Sequence, residues 1–459
     1  MRDRLRCPAV SIRLAALALV AAGGCLEDVS QQQPPVPVIQ CRVTADCKDA
    51  RAGICDPVSY LCRACRGPED DARCRERDPQ TPVCGEGGVC AACAGAGESQ
   101  SCIDRDPKRP TCRAGQCVAC ASGLDCHSGI CRPDGSCGSA ADTIFVDNKN
   151  GTCDATRTHA GTAQDPLCDV QAGVDRARVE RKPYVRVAGS KTPYPPVTVN
   201  ATSMADLLIA GVPTGTDLPV LRGDSAALSV VGAATRVAVA AQGLDFASDN
   251  ADGVVCDQRT GTVMPELTLR RSRILRAARV GLVASRCRLV VDGLLVTQGS
   301  QGGLRLSNAA YVVQNIMVLR NLGPGVFIEA AQMGSTIRFA TIGYNAFFGP
   351  APGVDCNNQP FLVEHSIVVN NVGSSSQFRG CRLINVVTGS EMIMGGTAKN
   401  PEFVRAEEPL DLHLKPSAAN QDCCIDKVPM AMGLPTHDID GTPRPQGAAW
   451  DIGAHEVVR

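Results

Sequence analysis

Glycines recur at fixed intervals in the second half of the chain. Gly281, Gly303 and Gly325 stand 22 residues apart, and Gly253 and Gly353 continue the series at 28. Each is followed by an apolar residue (Val254, Leu282, Leu304, Val326, Val354), and two further on by another (Cys256, Ala284, Leu306, Ile328, Cys356). Upstream, the same register gives Phe246, Ile274, Val296, Val318, Ile342 and Val368, and a further column reads Leu269, Val291, Val313, Ile337 and Val363. Alternation within a segment marks a strand, and a period of 22 to 28 residues between segments marks stacked coils. The fold class is therefore all-β, a parallel β-helix whose coils pair about 4.8 Å apart, with β-branched residues filling the inward stacks. An α/β alternative needs amphipathic helices between strands, and the interval leaves no room for them. Three residues after Val318, Ile342 and Val368 stand Asn321, Asn345 and Asn371, the spacing of a side-chain amide ladder at a turn.

The register also pairs side chains between coils. Cys381 falls 25 residues after Cys356, in the same inward position one coil later, inside the roughly 4.4–6.8 Å Cα window of a disulfide. Cys256 shares that column several coils away and is assigned to Cys287, and Cys153 to Cys168 in the cap; Cys423 and Cys424 either pair with each other or stay free. In the outward columns Asp245 stacks on Arg273, Arg270 on Asp292 and Arg338 on Glu364, and Asp355 has Phe327 below it. These charges read as inter-coil ion pairs on a solvated face, each worth little.

Cys41 to Cys137 holds four repeated units beginning at Cys41, Cys65, Cys93 and Cys120, with four cysteines in each. Cys74–Cys84 and Cys102–Cys112 align almost residue for residue, and each then closes with a Cys-x-x-Cys, at Cys90/Cys93 and Cys117/Cys120. Units of this size cannot bury a sufficient core, so cross-links must hold them. Two disulfides per unit are expected, with three pairings possible in each. Zinc is disfavoured, because His127 is the one histidine here and 26 cysteines fit an oxidising compartment. The module reads as a stiff stalk or a small protein-binding array.

Ahead of it, Arg2, Arg4, Arg6 and Arg13 precede the apolar run Leu14 to Ala22, then Gly23, Gly24 and Cys25. This is the pattern of a signal peptide over 1–24. It resembles a bacterial lipoprotein signal, with Cys25 as the lipidated residue and Ala22 where such signals usually carry Leu. Residues 25–40, rich in Pro and Gln, form a tether.

The stretch 143–199 orders a strand (Ile144 to Asp147), a Gly/Thr-rich loop, a capping helix from Asp165 to Val179, and a first coil strand at Val185 to Gly189. That order resembles bacterial right-handed parallel β-helix repeat proteins of the pectate-lyase-like superfamily. At the C-terminus, Leu410 to Ala419, Asp438-Ile-Asp-Gly-Thr-Pro-Arg-Pro445 and Trp450-Asp-Ile-Gly-Ala-His-Glu456 resemble the closing segment of the choice-of-anchor Q surface proteins. The expected organisation is a Cys-rich module over 41–137, the β-helix with its cap over 143–432, and a closing segment over 433–459. The resemblance implies a fold and an exposed location, and fold alone is not function.

Enzymes of that superfamily need calcium-binding carboxylates with a basic partner, or carboxylate pairs on neighbouring coils at about 5–9.5 Å. No aligned column stacks two acids. The remaining candidates are a calcium site at Asp245, Asp249, Asp252 and Asp257, opposite Arg276 and Arg279, and a polyanion-binding strip at Arg270, Arg273, Arg276 and Arg279. No phosphate-binding loop, Gly-x-Ser-x-Gly or His-Glu-x-x-His is present. A net charge of −1 argues against nucleic acid as a partner, and 3% aromatics with one Trp argue against a lectin-like platform. The expectation is a non-catalytic, lipid-anchored envelope protein without a cofactor that binds surface polysaccharide or protein. The alternatives are a calcium-dependent polysaccharide lyase or hydrolase, a purely structural spacer, and a secreted rather than anchored location.

Overall fold

The computed structural model describes residues 39–149, 159–200, 206–259, 263–347, 349, 351–374 and 376–458. The expected leader, most of the tether, Cys25 and Cys153 lie outside them. Parallel strands from Thr143–Val146 to Gly396–Thr397 build a β-solenoid of about eight turns, preceded by the disulfide-rich region.

The columns legible in the repeat are the columns of the fold. Val254 pairs with Leu282, Leu282 with Leu304, Leu304 with Val326 and Val326 with Val354. Leu269, Val291, Val313, Ile337 and Val363 stack in the same way, as do Phe246 to Val368, and all of them are fully buried. The amide ladder is formed. Asn321 Nδ2 donates to Asn345 Oδ1 at 2.8 Å, Asn345 Nδ2 to Asn371 Oδ1 at 2.8 Å, and Asn371 Nδ2 to Gln377 Oε1 at 2.7 Å. Gly299 occupies the ladder position one coil below and gives its backbone N–H to Asn321 Oδ1 at 2.8 Å.

A second periodic device is conformational. Gly243, Arg271, Gly293, Asn315, Phe339, His365 and Asn385 all have positive φ, between 44° and 81°, at the kink between two strand segments of successive coils. Only two of the seven are glycine. For the others the left-handed region costs roughly 1–2 kcal/mol, which the hydrogen bonds and packing of the stacked coils on either side offset.

The first coil is closed by the helix Val170–Glu180, capped by Asp169, whose carboxylate accepts from Ala172 N at 2.9 Å. It starts five residues later than expected, because Leu167 pairs in extended form with Val146 and Asp165 bonds His159 and Ala160. The buried face is Val170, Gly173, Val174 and Ala177, whereas Val179 points to solvent. A Cβ on Gly173 would stand 2.7 Å from Val146, so the missing side chain is what lets the helix lie on the coil.

Each cysteine-rich unit holds two disulfides with one crossed pattern, first to third and second to fourth. The pairs are Cys41–Cys55 and Cys47–Cys62, Cys65–Cys84 and Cys74–Cys90, Cys93–Cys112 and Cys102–Cys117, and Cys120–Cys131 and Cys126–Cys137. The third and fourth cysteines face each other across a short antiparallel pairing, as Cys84 faces Cys90. Side chains opposed in that way leave by the same face, so each reaches back to a different upstream cysteine. The last unit is no free stalk. Ile130 packs on Leu208 and Ala210 of the coils, and Gln242 Nε2 donates to Cys131 O at 2.8 Å.

In the solenoid, Cys256 bonds Cys287 and Cys356 bonds Cys381. The expectation for the second bond rests on a shared position, but the register of Val354 on Phe378 and Asp355 on Arg379 puts Gly380 next. Gly380 has φ 75°, and a Cβ there would sit 2.3 Å from Asn358 Cα, so glycine allows the turn that brings Cys381 inward. Cys423 and Cys424 are bonded to each other, and Cys168 is disulfide-bonded, its expected partner Cys153 lying outside the described residues.

The end of the chain departs most from expectation. Parallel pairing stops at Gly396–Thr397, not near 432, and the chain then folds into the antiparallel pair Phe403–Arg405 and Asp411–Leu414 and the helix Ala418–Cys423. The C-terminal segment beyond this helix lies along the flank of the coils. Leu412, Ile425, Trp450 and Ile452 pack against Met317, Leu319, Ile367 and Val369, which point away from the inner core. Gly453 N donates to His365 O at 2.9 Å and Ala454 N to Thr341 Oγ1 at 3.0 Å. The segment is a side clasp for an apolar outer face.

Candidate binding cleft

The four acids offered as a calcium site are not brought together. Asp245 is buried and bonded by Arg273, with Nε at 2.7 Å and Nη2 at 2.6 Å; Asp249 binds Arg222 at 3.0 Å and also Arg276; Asp252 accepts from Val280 N at 3.0 Å; Asp257 lies 3.5 Å from Arg259. Among the described residues, no cluster of metal-ligand atoms includes any of them. The same bonds consume Arg273 and Arg276 of the arginine strip. Arg279 is exposed, and Arg270 belongs elsewhere.

The expected stacking of Arg270 on Asp292 and Arg338 on Glu364 is present as register but not as ion pairs. Arg338 turns back to Gln314 Oε1, at 3.0 and 2.8 Å, and Asp292 accepts from Asn315 Nδ2 at 2.7 Å. Among the pairs that the sequence reading misses, one is buried: Asp355, almost fully enclosed, is bonded by Arg379 Nε at 2.7 Å. Its signal is the 24-residue step that sets Arg379 above Asp355, as Phe327 lies below. In the paired registers four acids face Arg or amide, Asp245 on Arg273, Glu266 on Arg288, Asp292 on Gln314 and Glu364 on Arg338, and Asp257 faces Ser285.

Arg270 opens instead onto a cleft of about 480 Å³ where three parts of the chain meet. The last cysteine-rich unit contributes Ala121 to Gly123 and Arg132 to Gly135, the coils contribute Gln242, Arg270, Arg271, Asp292 and Gln314, and the clasp contributes Leu434 to Asp438. Arg271 sits at the positive-φ kink and donates to Ala121 O of the cysteine-rich unit. Burial pulls its pKa down, and Asp292 acts against that. Arg270 reaches Pro133 O with Nη1 at 3.5 Å, and its buried Nε finds no hydrogen-bond partner among the described residues. Burial and Arg271 together hold the His437 imidazole below its ordinary value, so it is neutral at neutral pH. The cleft thus presents guanidinium N–H groups, carboxamides and a neutral imidazole. Its size is that of a small-ligand or chain-end site.

Arg444, Trp450, Asp451 and Glu456 of the C-terminal motifs carry fold. Arg444 is enclosed, donating to Asp451 O at 2.9 Å and Gly453 O at 2.8 Å, pairing with Glu456 at 3.3 Å and lying 4.8 Å over the Phe339 ring. Asp451 accepts from Asp426 N and Val457 N, both at 2.8 Å, and Trp450 Nε1 donates to Pro435 O at 3.0 Å. The residues that make the ending recognisable tie the clasp to itself and to the coils. No protein-family model, curated protein or solved structure matches the chain.

Proposed function

We propose that the protein is a non-catalytic cell-envelope lipoprotein of the pectate-lyase-like, choice-of-anchor Q type, displaying its β-helix to bind surface polysaccharide or protein. The observation that carries this reading is the cleft between module, coils and clasp, which offers hydrogen-bond donors and an unpartnered Arg270 Nε. The acids of the outer columns, by contrast, are bonded to or stacked on Arg or amide groups, which is the wrong state for paired acid and base work. Cys25 supplies the membrane attachment, and the oxidising compartment is consistent with the disulfides in every cysteine-rich unit.

The test is immobilised full chain against fractionated envelope polysaccharides and proteins, with Arg270→Ala alongside. Saturable binding that weakens at least about tenfold in the variant, a loss of about 1.4 kcal/mol, supports the reading. Calcium-dependent release of unsaturated uronate from a polymer makes it a lyase and overturns it, and absence of binding to any fraction makes it a spacer. Fatty-acid labelling that disappears in Cys25→Ser tests the anchor.

A further inference from the structure

The clasp contains a cluster of carboxylates and imidazoles that shares Asp438 with the rim of the cleft. Asp438, Asp440 and His455 come from two segments of the clasp, and one ligand atom of each lies within 4.8 Å of the others. His413, on the hairpin strand Asp411–Leu414, meets this group from a third. Its ring stands edge-on to His455 with centroids 4.7 Å apart and planes at 88°, and its Nε2 lies 2.8 Å from Asp440 Oδ2. Its Nδ1 is bonded to Asp411.

We infer that Asp438, Asp440 and His455, with His413 beside them, form a binding site for a divalent transition-metal ion of the zinc type, which fastens the clasp. The donors are two carboxylates and imidazole nitrogens with no thiolate, and imidazole selects zinc, nickel or cobalt over calcium and magnesium, which take oxygen. Asp438 is preorganised. Its Oδ1 accepts from Asp440 N at 2.9 Å and Thr442 N at 2.7 Å, and its Oδ2 from Glu456 N at 3.0 Å, so the carboxylate is held in place with one lone pair of Oδ2 to spare. His455 Nδ1 accepts from Leu414 N at 3.2 Å, which ties the imidazole to the 411–414 strand. Asp411 on His413 Nδ1 is the outer carboxylate that orients a metal-ligating imidazole, leaving Nε2 directed at the cluster. Asp440 is exposed, so an ion reaches the site from solvent. The ion would join the 411–414 strand, the 438–442 turn and the terminal motif.

The site shares Asp438 with the rim of the proposed ligand cleft, whereas Asp440, His455 and His413 do not line the cleft. The test is the full chain, stripped with chelator, titrated with Zn²⁺ by calorimetry and with Co²⁺ by visible absorption. Uptake of one equivalent per chain, nitrogen-containing cobalt bands and a higher melting temperature support the site. His455→Ala and the exposed-site variant Asp440→Asn should each weaken binding by at least about a hundredfold, and His413→Ala by about 10–100-fold. His127→Ala, on an exposed histidine of the cysteine-rich module, should leave it unchanged. The inference is overturned by no uptake in folded wild type, by equal uptake in Asp440→Asn and His455→Ala, or by calcium binding that ignores both histidines.

Discussion

Replacing Asn345 by alanine tests whether the amide ladder holds the coils or merely lines them. The side chain is fully buried. Its Nδ2 donates to Val318 O at 3.0 Å, Gly343 O at 3.3 Å and Asn371 Oδ1 at 2.8 Å, and its Oδ1 accepts from Asn321 N at 3.1 Å and Asn321 Nδ2 at 2.8 Å. The losses are unequal. Asn321 Nδ2 keeps the Val296 and Leu319 carbonyls, and Asn371 Oδ1 keeps the Asn345 backbone N–H. The Asn321 backbone N–H is left without its ladder acceptor. One or two buried groups orphaned at about 1–3 kcal/mol each, together with the small cavity, give a loss of about 3–5 kcal/mol. Asn345→Asp should cost at least as much, because it turns an anion toward the Val318 and Gly343 carbonyls. Guanidinium unfolding of the oxidised chain gives the total, and hydrogen exchange at Asn321 reports the local opening expected of a stacked array. A loss below about 1 kcal/mol with Asn321 still protected would refute the reasoning, since the ladder would then be replaceable by water or by coil packing alone.

Three further outcomes rest on the same geometry. Glu456→Leu leaves the enclosed Arg444 without its anion and should cost about 3–5 kcal/mol, read as release of the C-terminal segment by limited proteolysis; adding Arg444→Met should recover part of it. Cys356→Ser should expose one thiol, at Cys381, to maleimide after denaturation, and cost about 3 kcal/mol. Hydrogen bonds from Arg63 hold the Asp70 carboxyl below 3.8. Its folded value is depressed, so its stabilisation is complete above 3.8 and is lost as pH falls through the lower folded value. Carboxyl NMR should show a midpoint below 3.8, moving up in Arg63→Gln.

The coils are legible in the sequence because inward positions obey one period. Val318 above Val296 and below Ile342 comes from counting alone. Counting carries the outer faces less well, although it does place Asp245 on Arg273, which form an ion pair. Arg270 and Arg338 have the right strand neighbours, but long guanidinium side chains choose among every acceptor in reach: Arg270 takes Pro133 O of the cysteine-rich unit, and Arg338 takes Gln314, its register neighbour on one side, rather than Glu364 on the other. The covered flanks do leave a trace. Alternation lapses at Leu207–Val212, where the cysteine-rich unit docks, and at Ile367–Val369, where the clasp lies, and these strands are buried on both faces. Such two-sided apolar runs mark strands with a partner on either side, and they are the signal that the chain's two ends fold back onto the solenoid. The cleft is a product of that folding back, so residues as distant as Ala121, Arg271 and His437 meet without any local motif.

The crossed disulfides bear on how such a chain can change over generations. Among the described residues of the module, each bond closes within its own unit. A copy of one unit, 24 to 28 residues long, can therefore be gained or deleted without stranding a thiol or rewiring a neighbour. The fourth unit is fixed to the coils, and those before it behave as interchangeable beads. The number of beads ahead of the cleft is thus a quantity that duplication can raise or lower while the cleft itself stays as it is.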